Sequence, residues 1–320
     1  MIEPVSSSCF RRRTKRHMSL DPQQIINSPF TIRFVSAIAW TLPPAVGYPL
    51  CSLVGKWVAT RSQSTITQAV RINQWVARGA SQDRQELDRA VRETLQNNLR
   101  DLYDLYHYLH RPEAMRRRLR LNPLAAELIR RPEFSDRGLL IAGIHLSNFD
   151  GILQSLCRQG LNPLVLTIPN PQGGRRTEYE LRRRIGMNLV PASLSTLRQA
   201  VRHLEKGGLV LTGADRPIPD AKLHPRFFSR PAPLPIHHVY LAMKARVPVV
   251  LMAAIRQADG KYDLLDSGSM EMEQHADYET GMLANAEMVL EKAEGFIKLA
   301  PQQWNIPLPV WPQLLKDVPS

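Results

Sequence analysis

The stretch GLLIAGIHLSNFDGIL, residues 138–153, decides the fold. GLLIAGI (138–144) is a short, uncharged apolar run, consistent with a buried strand. It stops at His145. Ser147 then reads as a helix N-cap, the helix is predicted to open at Asn148, and Asp150 lies one turn in.

Working outward, similar runs recur at NPLVLTI (162–168), MNLVP (187–191), GLVLTG (208–213), VPVVLMAAI (247–255) and KYDLLD (261–266). Helical patterns lie between them, at 148–159, 176–186, 194–206, 236–245 and 279–299. Strands alternating with helices predict an α/β domain with a mostly parallel central sheet flanked by helices. No internal repeat, GxGxxG, P-loop, GxSxG or HExxH is present.

Before Pro132 the period is helical. Ile66, Val70, Ile72, Trp75 and Val76 recur at helical spacing, Gly79 and Ala80 interrupt, and a second stripe runs from Leu87 through Leu95 and Leu102 to Leu109. Both read as core-facing amphipathic helices. Residues 111–131 read as one more helix, basic and facing solvent or lipid. Further upstream, FVSAIAWTLPPAVGYPLCSLVG (34–55) carries no charge and lies between Arg33 and Lys56. Its length suffices to span a bilayer, but Pro43, Pro44 and Pro49 interrupt it. It therefore reads as two short interfacial helices meeting at Pro43-Pro44, as one span, or as a segment buried in the core. The domain boundaries follow: a basic flexible tail over 1–27, an apolar membrane-docking segment over 28–61, an amphipathic helical region over 62–131 packing on the core, and the α/β core over 132–320.

In 320 residues, 42 Lys and Arg outnumber 29 Asp and Glu, for a net charge of +13. Such a surface suits an acidic partner: nucleic acid, anionic lipid or an acidic carrier protein. The run RRRTKR (11–16) favours an amino terminus on the cytoplasmic face of a membrane. Nucleic acid is disfavoured, because no recognition motif appears and the basic residues are not interleaved with a stacking platform of aromatics. Cys9, Cys51 and Cys157 are odd in number and widely spaced, which suggests neither a disulfide framework nor a zinc site and fits a cytosolic setting.

The candidate site is His145 with Asp150. In open α/β sheets, catalytic groups sit at the carboxyl ends of strands. A carboxylate on one imidazole nitrogen fixes the tautomer and leaves the other nitrogen free to take a proton from an alcohol. Asp150 has a purely structural reading too, because Ser147 and Asp150 share the S-x-x-D spacing of a capping box. Among other candidates, one or two of Arg175, Arg176, Arg182, Arg183 and Arg184 are expected to point inward as phosphate-binding forks. Asp215 and Arg216, at another strand's end, either pair with each other or leave Arg216 for a phosphate. Phe227 and Phe228 read as core or as the lining of an acyl groove, with core favoured. His237 and His238 read as capping or surface residues.

Several ordered blocks over roughly residues 36–312 resemble the lysophospholipid acyltransferase superfamily. Within it, the resemblance is to bacterial lipid A lauroyl/myristoyl acyltransferases and phosphatidylinositol mannoside acyltransferases. HLSNFD (145–150) is similar to their H-x4-D/E box, and LRRRIGMNLVPA (181–192) to their arginine-rich helix and following strand. GLVLTGADRP (208–217) is similar to a strand ending in Asp-Gln or Asp-Arg. The double-Phe block at 226–250 and the terminal APQQWNIPLPVW (300–311) also match. Here Ser229 stands where a Gly usually follows the double Phe, and IPNPQGGRR lacks the family's Tyr-Arg.

The resemblance implies transfer of a fatty acyl chain from acyl-CoA or acyl-carrier protein to a hydroxyl of a glycolipid or lysophospholipid. His145 would be the general base and Asp150 its orienting partner. Asn148, Arg175, Arg176, Arg182, Arg183, Asp215, Arg216, Phe227 and Phe228 would contact substrate. No metal or bound cofactor is expected. The setting would be the inner (cytoplasmic) membrane, with the site on the cytoplasmic face. The alternative is a non-catalytic lipid-binding or scaffold protein on the same fold.

Overall fold

The computed structural model describes residues 29–131, 137–169, 174–218 and 220–319. The tail expected over 1–27, and Pro132, Asn170 and Pro171, lie outside them. Four helices come first: α1 (Pro29–Thr41), α2 (Pro44–Ala59), α3 (Thr65–Ala77) and α4 (Arg84–Leu109). The apolar segment is thus two helices parted at Pro43, with Pro44 in the first turn of α2, where its missing N–H costs nothing. Among the described residues no helix is long and apolar enough to cross a membrane. The predicted break between α3 and α4 falls at Gly79 and Ala80, both at positive φ (89° and 55°). Asp83 and Glu86 open α4 with a capping box.

Helix α2 seats closely on α4. A Cβ at Gly47 would lie 2.3 Å from the Tyr103 ring, and one at Gly55 would lie 2.8 Å from the Gln96 backbone, so only glycine permits this approach. Tyr103 Oη donates to Leu42 O at 2.6 Å, and Tyr48 Oη to Asp104 Oδ1 at 2.9 Å.

Residues 111–131 are not one helix. They form α5 (Pro112–Arg116), the two-residue strand β1 (Leu119–Arg120) and α6 (Pro123–Arg130). The reason is polar pairing. Arg118 donates to Gly260 O through Nε and Nη2, and Arg120 pairs with Asp259 and Asp263. Asn122 caps α6 by accepting from Ala125 N at 2.8 Å, with Pro123 as the first helical residue.

The α/β part continues with β2 (Leu139–Gly143), α7 (Phe149–Arg158), β3 (Leu164–Thr167), α8 (Gly174–Arg184), β4 (Asn188–Pro191), α9 (Leu194–Glu205) and β5 (Leu209–Gly213). A small hairpin follows, β6 (Arg226–Phe227) and β7 (Arg230–Pro231). Then come α10 (His237–Ala245), β8 (Val249–Arg256), β9 (Tyr262–Asp266) and α11 (Tyr278–Leu299). The main sheet has seven strands in the order β1-β9-β8-β2-β5-β3-β4, parallel throughout except for the β8–β9 pair. Leu140 and Ala142 face one core, shared with Ile72, Leu87, Leu204, Leu241 and Val289. Leu139 and Ile141 face the other, with Met115, Leu128, Ile152 and Leu156. Both faces of β2 are covered, which is why its sequence is an unbroken apolar run and not an alternation.

Candidate active site

Gly143 and Gly213 close the parallel ladder between β2 and β5. Ala214 N still donates to Gly143 O at 2.9 Å, so the two chains stay together beyond the strand ends. His145 and Asp215 lie next. Asp215 Oδ1 accepts from His145 Nδ1 at 2.6 Å, and Oδ2 accepts from the His145 backbone N–H and from Trp304 Nε1, each at 2.9 Å. Asp215 is wholly buried, whereas the His145 side chain is 18% exposed. Burial pushes the Asp215 carboxyl up, but the charge on the His145 ring and the three donors outweigh it and hold the group below the usual carboxylate range. A carboxylate only accepts, so Nδ1 carries a proton, and in the neutral ring the lone pair lies on Nε2. No hydrogen bond from the described residues engages Nε2. The Phe149 ring packs edge-on against the imidazole, with centroids 4.4 Å apart.

The expected His145–Asp150 contact does not form. Asp150 Oδ2 accepts from Arg182 Nε at 3.1 Å and Nη2 at 2.5 Å, and Oδ1 lies 3.4 Å from Gln154 Nε2. The guanidinium fork on α8 claims the carboxylate, and Asp215 occupies the ring nitrogen that Asp150 was expected to hold. Nor does Asp150 cap the helix. Asn148 is the N-cap, accepting from Gly151 N at 3.1 Å, and Ser147 stands outside the helix at φ 55°. The side-chain oxygen of Ser147 and Nδ2 of Asn148 are buried without a hydrogen-bond partner.

Of the arginines, Arg182 points inward, while Arg183 and Arg184 are exposed. Arg176 is exposed and pairs with Glu180 at 3.2 Å. The Arg175 side chain lies outside the described residues. The Asp215 oxygens accept from His145 and Trp304, and Arg216 is half-buried beside them. Phe227 is fully buried and, with Phe228, packs on Trp304 and Trp311. His237 and His238 are not surface residues. His237 Nε2 meets Thr212 Oγ1, and His238 is wholly buried with neither ring nitrogen paired. Burial lowers their pKa values to about 4 and about 3, with the neighbouring His237 charge adding to the drop at His238.

Trp304 was not expected at the site. It arrives because residues 303–305 run antiparallel to 145–147. Ser147 N donates to Gln303 O at 2.8 Å, and Asn305 N to His145 O at 2.7 Å. No local sequence signal marks that pairing. A recess between α4 and α7, lined by Leu105, Tyr108, Leu109, Met115, Gly151 and Ser155, does not include His145 or Asp215. Among the described residues no group of three or more His, Cys, Asp or Glu is arranged to hold a metal ion.

A histidine with one nitrogen on a buried carboxylate and the other open, at the carboxyl edge of a parallel sheet, is chemically able to remove a proton from a bound group. The model of the bacterial lipid A biosynthesis acyltransferases matches residues 14–312, and the chain belongs to that family. No curated protein matches the chain.

Proposed function

We propose that this acyltransferase moves a fatty acyl chain from an acyl thioester, acyl-CoA or acyl-carrier protein, to a hydroxyl of a membrane glycolipid or lysophospholipid, with His145 as general base. The observation that carries this reading is the contact of His145 Nδ1 with Asp215, which leaves Nε2 unengaged. In the reaction, Nε2 takes the proton of the acceptor hydroxyl, and the oxygen attacks the thioester carbonyl. Asp215 balances the imidazolium that forms. When the tetrahedral intermediate collapses, the C–S bond breaks and Nε2 returns the proton to the leaving thiolate. The start of α7 offers backbone N–H groups for the oxyanion. Asp150 and Arg182 act one step away, holding α8 against α7 beside the base.

Membership of a lipid A biosynthesis acyltransferase family supports acyl transfer as the reaction class. The net charge of +13 suits both an acidic carrier protein and anionic lipid. Purified His145→Ala protein, assayed for transfer of a radiolabelled acyl chain to lipid acceptor, is expected to lose about 100- to 10,000-fold in kcat while keeping its circular dichroism spectrum. Near wild-type turnover by that variant would overturn the assignment of the base.

A further inference from the structure

Resting on the proposed role of His145, we propose that Trp304 is a positioning residue: its indole N–H holds Asp215 so that Oδ1 meets His145 Nδ1, and thereby sets the pH at which Nε2 is free to take a proton. Asp215 Oδ2 has two donors, the His145 backbone N–H and Trp304 Nε1. The first cannot by itself fix the carboxylate, because it comes from the residue being oriented. The indole comes from a segment that is independently anchored.

The anchoring is dense. Trp304 follows a single 3-10 turn, Pro301–Gln303. Gln74 Nε2, from α3, donates to Pro301 O at 2.7 Å. Asn97 Nδ2, from α4, donates to Gln302 O at 3.2 Å. The Gln303 amide pairs with the end of β8, accepting from Arg256 N and donating to Arg256 O, both at 2.9 Å. The Arg256 guanidinium is held in turn by Asp101 and Asn97. Three elements therefore fix three consecutive residues immediately before the indole. Its far side is closed by Phe227 and Trp311, with ring centroids 5.8 and 6.3 Å away. Trp304 is 2% exposed, so its N–H has no water to turn to and Asp215 is its partner.

Each donor that neutralises a buried carboxylate reduces the charge it offers to another partner. Removing the indole N–H leaves more of the Asp215 charge for the imidazolium, so the base holds its proton to higher pH. The other charged groups around the dyad are unchanged by such a variant: Asp150 on Arg182, Arg216 beside Asp215, and His237 on Thr212.

The test is the pH profile of kcat/KM for Trp304→Phe and for full-length protein carrying β-(3-benzothienyl)alanine at position 304. That analogue keeps the shape of tryptophan and replaces N–H by sulfur, so it covers the case in which the phenylalanine variant folds poorly. Both are expected to move the acid limb up by about half a pH unit or more, with kcat at pH 7 down about tenfold and KM within about twofold. A merely structural role would lower stability without moving the limb. An acid limb unchanged, or moved to lower pH, in the benzothienyl protein overturns the inference. Full activity in His145→Ala would instead overturn the underlying reading, and the two failures are read from separate variants.

Discussion

His145 and Asp215 occupy the same position on two neighbouring parallel strands, each two residues past the last ladder pair, Gly143 and Gly213. The parallel register itself brings the imidazole and carboxylate side by side. Asp215→Asn is therefore expected to be far more damaging than Asp150→Asn. An asparagine at 215 turns its NH2 toward either the imidazole Nδ1–H or the indole N–H, and one donor loses its acceptor. Asparagine at 150 still accepts from Arg182. Steady-state acyl transfer should fall about 100- to 10,000-fold for Asp215→Asn and less than about tenfold for Asp150→Asn. Equal losses in two well-folded variants would return Asp150 to the role first read from the sequence.

The strand at 138–144 was legible because both its faces are covered, which demands an unbroken apolar run. His145 was legible because it ends that run before a helix. The nearest acid, Asp150, stands five residues downstream within the helix, whereas the partner, Asp215, stands 70 residues beyond the histidine. GLLIAGIH (138–145) and GLVLTGAD (208–215) match in pattern position by position. Laid side by side as parallel neighbours, they put the histidine against the aspartate. Strand β1 is not legible in the sequence because two residues have no period, and the arginines that anchor it look like a solvated face. The contact of Trp304 is not legible either, because it depends on remote antiparallel pairing with Leu146.

His238 bears on stability in acid. In the unfolded chain a histidine takes up its proton near pH 6.5, while burial holds His238 neutral down to about 3. Between those values the unfolded state binds more protons, so stability falls as pH drops below about 6.5 and is complete above it. His237 contributes in the same sense down to about 4. His238→Leu removes one titrating group and two unpaired buried nitrogens. From urea unfolding at pH 7 and pH 5, the wild-type protein should lose about 1–2 kcal/mol more than the variant. Identical losses would exclude His238 as a contributor.

Ser229 is expected to give way to glycine with a gain in stability. The turn between β6 and β7 puts Phe228 and Ser229 at φ 49° and 59°, the left-handed pair of a tight hairpin. A side chain there costs roughly 1 kcal/mol. Ser229 is exposed, and the hairpin is pinned through other residues: Phe228 N donates to Glu294 Oε1, and Arg226 N to Glu287 Oε1 at 2.8 Å. Ser229→Gly should stabilise the protein by about 0.5–1 kcal/mol after the added freedom of the unfolded chain is subtracted. Chemical denaturation at neutral pH measures this, and a destabilised variant would show that the turn does not limit stability.

The exposed apolar side of α1 and α2 is expected to dock on the membrane beside the site. Val46, Leu50, Leu53 and Trp57 follow one another on α2 at steps of four, three and four, which is a single stripe, and all are more than 40% exposed. Gly47, Tyr48, Cys51 and Gly55 turn the other way, onto α4. Trp40 and Phe34 extend the exposed surface onto α1. The opposite side of the same helices shares a cluster with Leu181, next to the Arg182 that holds Asp150. Docked in this way, the protein is expected to take its lipid acceptor directly from the bilayer surface. Deleting residues 1–58 would also uncover Tyr103, so the cleaner variant is Leu53→Asp with Trp57→Asp, which leaves the α4 contact intact. Burial of a leucine or tryptophan side chain contributes about 1.5–3 kcal/mol, so the double variant should bind vesicles containing anionic phospholipid at least roughly a hundredfold more weakly. Its activity should fall on acceptor embedded in vesicles and stay near wild type on acceptor dispersed in detergent. Equal vesicle binding by the variant and the wild type would place the lipid contact elsewhere on the molecule.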